Sequence, residues 1–253
     1  MRTYDRAAAE APAGGSGGFG GPPPTRLTAK AGLNAFQWDL RSDPPAKLPG
    51  NISLFGGPNA GYLATPGRYQ VRLTVGGAVQ TQPFDVVLDP RMQMTPAQVA
   101  ARDSLSRAIV ARVNEIHESI LRLRDIRAQV GGFVDRAKEA GARAVEERGK
   151  GITAEVDTLD PKLTTKAANG QDIINFRNGI NAQYVFLLGH IESNEVVTQP
   201  SRERFAELEK LWAALRAQVD RVETVDVPAF NKLLQDAGLG GVVVPKPKPK
   251  VAM

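Results

Sequence analysis

The chain contains no cysteine among its 253 residues. Disulfides, thiolate nucleophiles and thiolate metal sites are therefore excluded, and the redox compartment is left open. Histidine is scarce, with two residues, and aromatics make up 6%. No apolar run approaches the roughly 18 residues of a membrane-spanning helix. The longest, Tyr184 to Leu188, stops at Gly189 and His190. The opening, MRTYDRAAAEAPAGG, lacks the apolar core of a secretory signal. Either the protein stays inside the cell, or the written start is not the biological one.

What is present is a globular composition, 42% hydrophobic and 23% charged, long enough for one large domain or two ordinary ones. The net charge of +5 is unevenly placed. Residues 1–90 carry eight Lys/Arg against six Asp/Glu, and residues 91–240 carry 21 of each. The remaining excess is Lys246, Lys248 and Lys250 in the tail. A nucleic-acid binder concentrates positive charge on its folded surface, so this distribution argues against such a partner.

Residues 11–25, APAGGSGGFGGPPPT, read as a linker or long loop. They contain matches to GxGxxG and GxSxG. Pro22-Pro23-Pro24 follows where either motif needs a helix, so both are products of low complexity. Residues 31–90 read as strands. Phe36, Trp38 and Leu40 alternate with polar or small residues, and NISLF at 51–55 forms a second apolar stretch. Tyr69, Val71, Leu73 and Val75 share one face of a third, and Gly76-Gly77 closes a hairpin with AVQTQPFDVVL. Pro83 marks an edge or a bulge in that return strand. Several short antiparallel strands predict a sandwich. Phe36, Trp38 and Tyr69 could serve as a carbohydrate platform, but alternate spacing is that of a core.

After Asp89-Pro90 the period becomes helical. Thr95-Pro96-Ala97-Gln98 is a capping box with Pro at the first helical position. Ile109, Val113, Ile116, Ile120, Leu123, Val130 and Val134 follow at 4-3 spacing, broken only at Arg127 beside Ile126. A weaker helix over 135–159, a loop at 160–171 and helices over 172–193 and from about Pro200 follow. A short one from Asp226–Pro228 to Gly238 completes an antiparallel bundle. The expected fold class is thus α+β and multidomain. It comprises an Ig-like antiparallel β-sandwich over 1–90, with a Gly/Pro-rich insertion at about 6–30. An antiparallel helical bundle over 91–240 and a Pro/Lys tail over 241–253 follow.

The ordered strings AGLNAFQWDLR, TPGRYQVRLTV and QPFDVVLDPR, then GQDIINFRNGINAQYVFLLGHIES, TQPSRERFAELEKLWAALRAQVDRV and VPAFNKLLQDAGL, carry a resemblance. Together they resemble the C-terminal Ig-like and helical region of bacterial exported proteins with sortilin-like, sialidase-type repeat β-propellers. The sandwich part is also similar to the Ig-like domain of flagellar hook-capping proteins. The propeller and its Asp-box repeats are absent, so no catalytic residue carries over. The resemblance implies that Met1–Asp5 is the remnant of a first strand, within a longer precursor, and that the location is periplasmic or extracytoplasmic.

Conventional chemistry finds little support. Neither His117 nor His190 has a Glu three residues before it, as a bundle di-iron site requires. No Ser-His-Asp arrangement is indicated. Glu146-Glu147 and Glu192 with Glu195 read as solvated or ion-paired carboxylates, and Arg122-Arg124-Arg127 as an ion-paired helix face. No enzyme activity, cofactor or metal is expected. The function expected is that of an accessory or structural subunit docked on a larger extracytoplasmic or membrane-associated bacterial complex. Its partners would be other protein subunits, with peripheral membrane association and no transmembrane segment. A photosynthetic reaction-centre–light-harvesting complex is one such assembly, though no pigment ligand argues for it. The alternative is a carbohydrate-binding or spacer module split from a propeller glycosidase. The Pro/Gly-rich loops 41–50 and 56–67 are the candidate partner surface. Lys47 lies in the first and Tyr62 in the second, as an amphipathic anchor that nothing nearby in the sequence covers.

Overall fold

The computed structural model describes residues 3–4, 27–49, 61–165 and 179–245. The NISLF stretch, the 11–25 segment, the start of the expected 172–193 helix and the tail from Lys246 lie outside them.

No Ig-like sandwich forms among the described residues. Among the described residues the sheet has two strands, β1 (Gly67–Val75) and β2 (Ala78–Val86), and the remainder is mostly helical. The stretch around Phe36, Trp38 and Leu40 alternates as a strand would, yet it makes no ladder. Leu40 takes a left-handed φ of 57°, and Asn34 uses its side chain to bond the backbone of Lys30 and Gly32. These are local substitutes for a sheet partner. Among the described residues its strand-type pairing is one isolated bridge, Arg41 to Leu63. Period-two alternation thus marks an extended segment laid against the hairpin, which sequence alone cannot separate from a paired strand.

The hairpin itself forms as its sequence dictates. Gly76 and Gly77 both adopt positive φ, 55° and 88°, which a two-residue turn needs and side chains oppose. The register pairs Tyr69 with Phe84, Val71 with Gln82, Leu73 with Gln80 and Val75 with Ala78.

Four helical rods make the core. α1 (Pro96–Glu139) opens on the expected capping box: the Gln98 N–H donates to Thr95 Oγ1 at 3.3 Å, and the Thr95 N–H donates back to Gln98 Oε1 at 2.7 Å. Its 44 residues span about 66 Å at 1.5 Å per residue. The buried stripe runs Ile109, Val113, Ile116, Ile120, Leu123, Ile126, Val130, Phe133 and Ala137. Ile126 and Phe133 take the places where a strict heptad would put Arg127 and Val134. α2 (Arg143–Leu163) returns beside α1 after a three-residue turn, and α3 (Ile180–Glu192) packs on α1 as well.

α4 (Gln199–Arg221) starts at an N-cap, Thr198, and continues through one π turn, Val222–Asp226, into α5 (Val227–Asp236). Pro228 explains the π turn. It has no N–H to give the preceding turn and its ring crowds that turn's carbonyl. The coil widens instead, with the Val227 N–H donating to Val222 O. A charge network ties α1, α3 and α4. Arg112 forks onto Glu209 at 2.6 and 2.9 Å, and Tyr184 donates its hydroxyl hydrogen to the same carboxylate at 2.6 Å. Burial raises the Glu209 carboxyl, but the hydrogen bonds from Arg112 and then Tyr184 outweigh it and hold the group below its usual range. The Tyr184 phenol is pushed up, first by burial and then by its bond to Glu209.

The strap before the hairpin, though not the hairpin itself, contributes to the helical core. Leu48 is 5% exposed within the helical cluster, and Val242 joins it from the far end of the chain.

Candidate functional site

A free hairpin of two strands is marginal in water unless something covers one face. Here the cover is partial. At its base, Trp38 lies against Tyr69 and Phe84, with ring centroids 5.8 and 6.0 Å away, and its indole N–H donates to Arg41 O at 2.9 Å. Beyond these rings the same face is bare. Val71, Leu73 and Val75 are 55%, 58% and 65% exposed. Replacing Trp38 with Ala should cost about 1–2 kcal/mol, less than a core ring would, because the indole is half-buried. Loss of hairpin amide protection with bundle protection retained would check this, and an unchanged hairpin would contradict it.

Loop 41–49 is a strap across α1. The Ala46 N–H donates to Asn114 Oδ1 at 2.9 Å, and Arg124 reaches Pro49 O at 3.4 Å. Glu192 on α3 gathers the strap and the following segment, accepting from Arg41 at 2.9 Å and from the Leu63 N–H at 2.9 Å. Lys47 lies exposed on this strap. Tyr62 is half-buried and is covered from α1: Arg107 sits 4.5 Å above its ring and donates to its hydroxyl at 2.6 Å. The two residues therefore do not form one exposed patch, and neither belongs to the hairpin.

His117, one of the two histidines, is fully buried under the strap. Its Nδ1 donates to Ala46 O at 2.7 Å, which leaves Nε2 to accept from Asn181 Nδ2 at 3.2 Å. Asn181 cannot profitably turn over, since its Oδ1 already accepts from the Ala182 N–H at 2.7 Å. The ring is thus a neutral connector between strap, α1 and α3. Burial lowers its pKa below the usual 6.5, the Ala46 carbonyl opposes this, and nearby Arg124 adds to the lowering. The unfolded chain then takes up a proton that the fold rejects. Stability from the neutral ring is complete above about pH 6.5 and declines as pH falls through the window below it. Melting at pH 7.5 and 5.5 should show that decline, and His117→Gln should flatten it.

The other charged groups singled out in the sequence are structural. Arg122, Arg124 and Arg127 pair with Glu223, Asp160 and Asp157 at 2.8, 2.9 and 2.6 Å, all from other helical segments. Glu146 binds Lys150, and Glu195 accepts from the Gln93 N–H at 3.1 Å. A groove of about 420 Å³ between α3 and α4 has Phe186 and His190 on its wall, and its Arg204 is held by Gln183 and Glu207. Among the described residues no three His, Asp or Glu side chains gather as metal ligands. No described helix is long and apolar enough to cross a membrane.

No family model matches the chain, and neither a curated protein nor a solved structure shows significant similarity to it.

Proposed function

We propose that the protein is a non-catalytic accessory subunit that docks, through the β1–β2 hairpin, onto a larger extracytoplasmic or membrane-associated bacterial complex. The observation that supports this is the row Val71, Leu73, Val75, more than half exposed on a hairpin that Trp38 covers only at its foot. Exposed aliphatic rows of this kind mark interaction surfaces. Asn114 and Glu192 hold the strap and the segment before the hairpin on the bundle, Thr65 bonds Asp103 of α1, and Trp38 covers the hairpin foot.

The test is a Val71→Thr/Leu73→Thr double variant expressed in the native host. The unmodified chain should migrate with a large complex in native extracts, and the variant should be released from it. Since both side chains are exposed, melting should stay within about 1 kcal/mol of the parent. A chain that runs as a partner-free monomer in native extract, or one that binds glycan arrays, would overturn the reading.

A further inference from the structure

We infer that the outer edge of β1 accepts an extended strand from a partner protein, one whose side chains alternate apolar and acidic. This rests on the docking reading above and specifies the partner's chemistry.

The two edges of the hairpin are unequal. A two-residue turn makes Val75 and Ala78 a hydrogen-bonded pair, and the pairs then alternate along the ladder. Gln70 and Pro83 therefore face each other as a pair without mutual hydrogen bonds. The missing N–H of Pro83 points outward from β2 and interrupts that edge. On β1 the outward N–H and C=O groups belong to Arg68, Gln70, Arg72 and Thr74. None has a backbone partner among the described residues. No proline, lysine or bulge protects this edge.

The side chains beside the open edge define what fits. The apolar row Tyr69, Val71, Leu73 and Val75 lies on β1, whereas β2 offers Gln80 and Gln82 on the same face. A third strand on the β1 side would extend the apolar row, and one on the β2 side would not. The opposite face of β1 carries Arg68 and Arg72, both exposed and without an ion pair among the described residues. Asp85 stands across from Arg68, and Thr81 from Arg72. Residues of an added strand alternate between these two faces, so its even positions would meet aliphatics and its odd positions guanidinium groups. A second copy of this chain fits poorly. Two β1 strands side by side would bring four arginines onto one face against two aspartates.

The experiment is amide hydrogen exchange on the full chain, alone and with capped (Glu-Val)4 or (Lys-Val)4 peptides. In the isolated protein the Arg68, Gln70, Arg72 and Thr74 amides should exchange freely. The acidic peptide should slow them by about ten-fold or more, and the lysine peptide should not. Gln70→Pro removes one outward N–H without touching the β1–β2 bonds and should abolish the effect. Thr81→Pro makes the same change on the opposite edge and should leave it intact. Arg72→Glu, which keeps the backbone unaltered, should reverse the peptide preference. Slow exchange in dilute isolated protein would mean that the edge is already filled, and protection that rises with protein concentration would mean self-pairing. Either result overturns the inference, as does an equal response to both peptides or none to the acidic one. If Val71→Thr/Leu73→Thr releases the native complex while Gln70→Pro does not, hairpin docking stands and strand addition fails.

Discussion

Gly179→Ala should lower the melting temperature by roughly 6–12 °C, the equivalent of about 3 kcal/mol in a chain of this size. Gly179 caps α3, and a Cβ there would stand 2.5–2.6 Å from the N, Cα and C atoms of Thr164. These are backbone atoms at the end of α2, so no rotamer change relieves the contact. The Gly179 N–H also donates to Thr165 Oγ1 at 2.7 Å. Displacing this junction would move Asn181 away from His117 Nε2, and the strap over α1 would loosen with it. A thermal melt checks the outcome, and an unchanged midpoint would show that the close approach of α2 and α3 is wrong.

Phe230→Ala should cost about 3–5 kcal/mol, as removal of a fully enclosed ring does. Phe230 on α5 is 0% exposed and stands edge-on to Phe133 of α1 at 6.5 Å between centroids. It also presses over Gly149 of α2, where a Cβ would come within 3.2 Å of its ring. One side chain therefore fastens the last helix to the first two. Equilibrium urea unfolding should show the midpoint shifted downward with the slope unchanged. A loss under 1 kcal/mol would mean that α5 does not belong to the core.

The helical half was legible because its signals are local and mutually consistent. The Thr95–Gln98 box, the Ile109–Leu123 spacing and Gly238 each fix a boundary or a face without distant help, whereas Pro228 does not start a separate helix, since α4 runs on through the π turn into α5. The step from Arg127 to Ile126 in the buried stripe was visible as an irregularity. The π turn before Pro228 was not, since a proline near a predicted helix start suggests no widened turn. The sandwich failed because alternation specifies an extended backbone and nothing about what pairs with it. One cue to the exposed hairpin was present: Gln80 and Gln82 face Leu73 and Val71, where a sandwich interior would place aliphatics on both strands. For Tyr62, the cover comes from Arg107, 45 residues away, beyond the reach of any local pattern.

Benzoylphenylalanine placed at position 73 in the native host, with a matched probe at position 186, most directly tests whether the hairpin is the docking face. Both positions are exposed, at 58% and 59%, so reach to solvent is equal and only partner contact differs. Irradiation should give one protein adduct from position 73, lost in a Gln70→Pro background if the partner adds a strand, and none from position 186. Adducts from position 186 with none from position 73 would place the partner on the α3–α4 side and contradict the hairpin as the docking face.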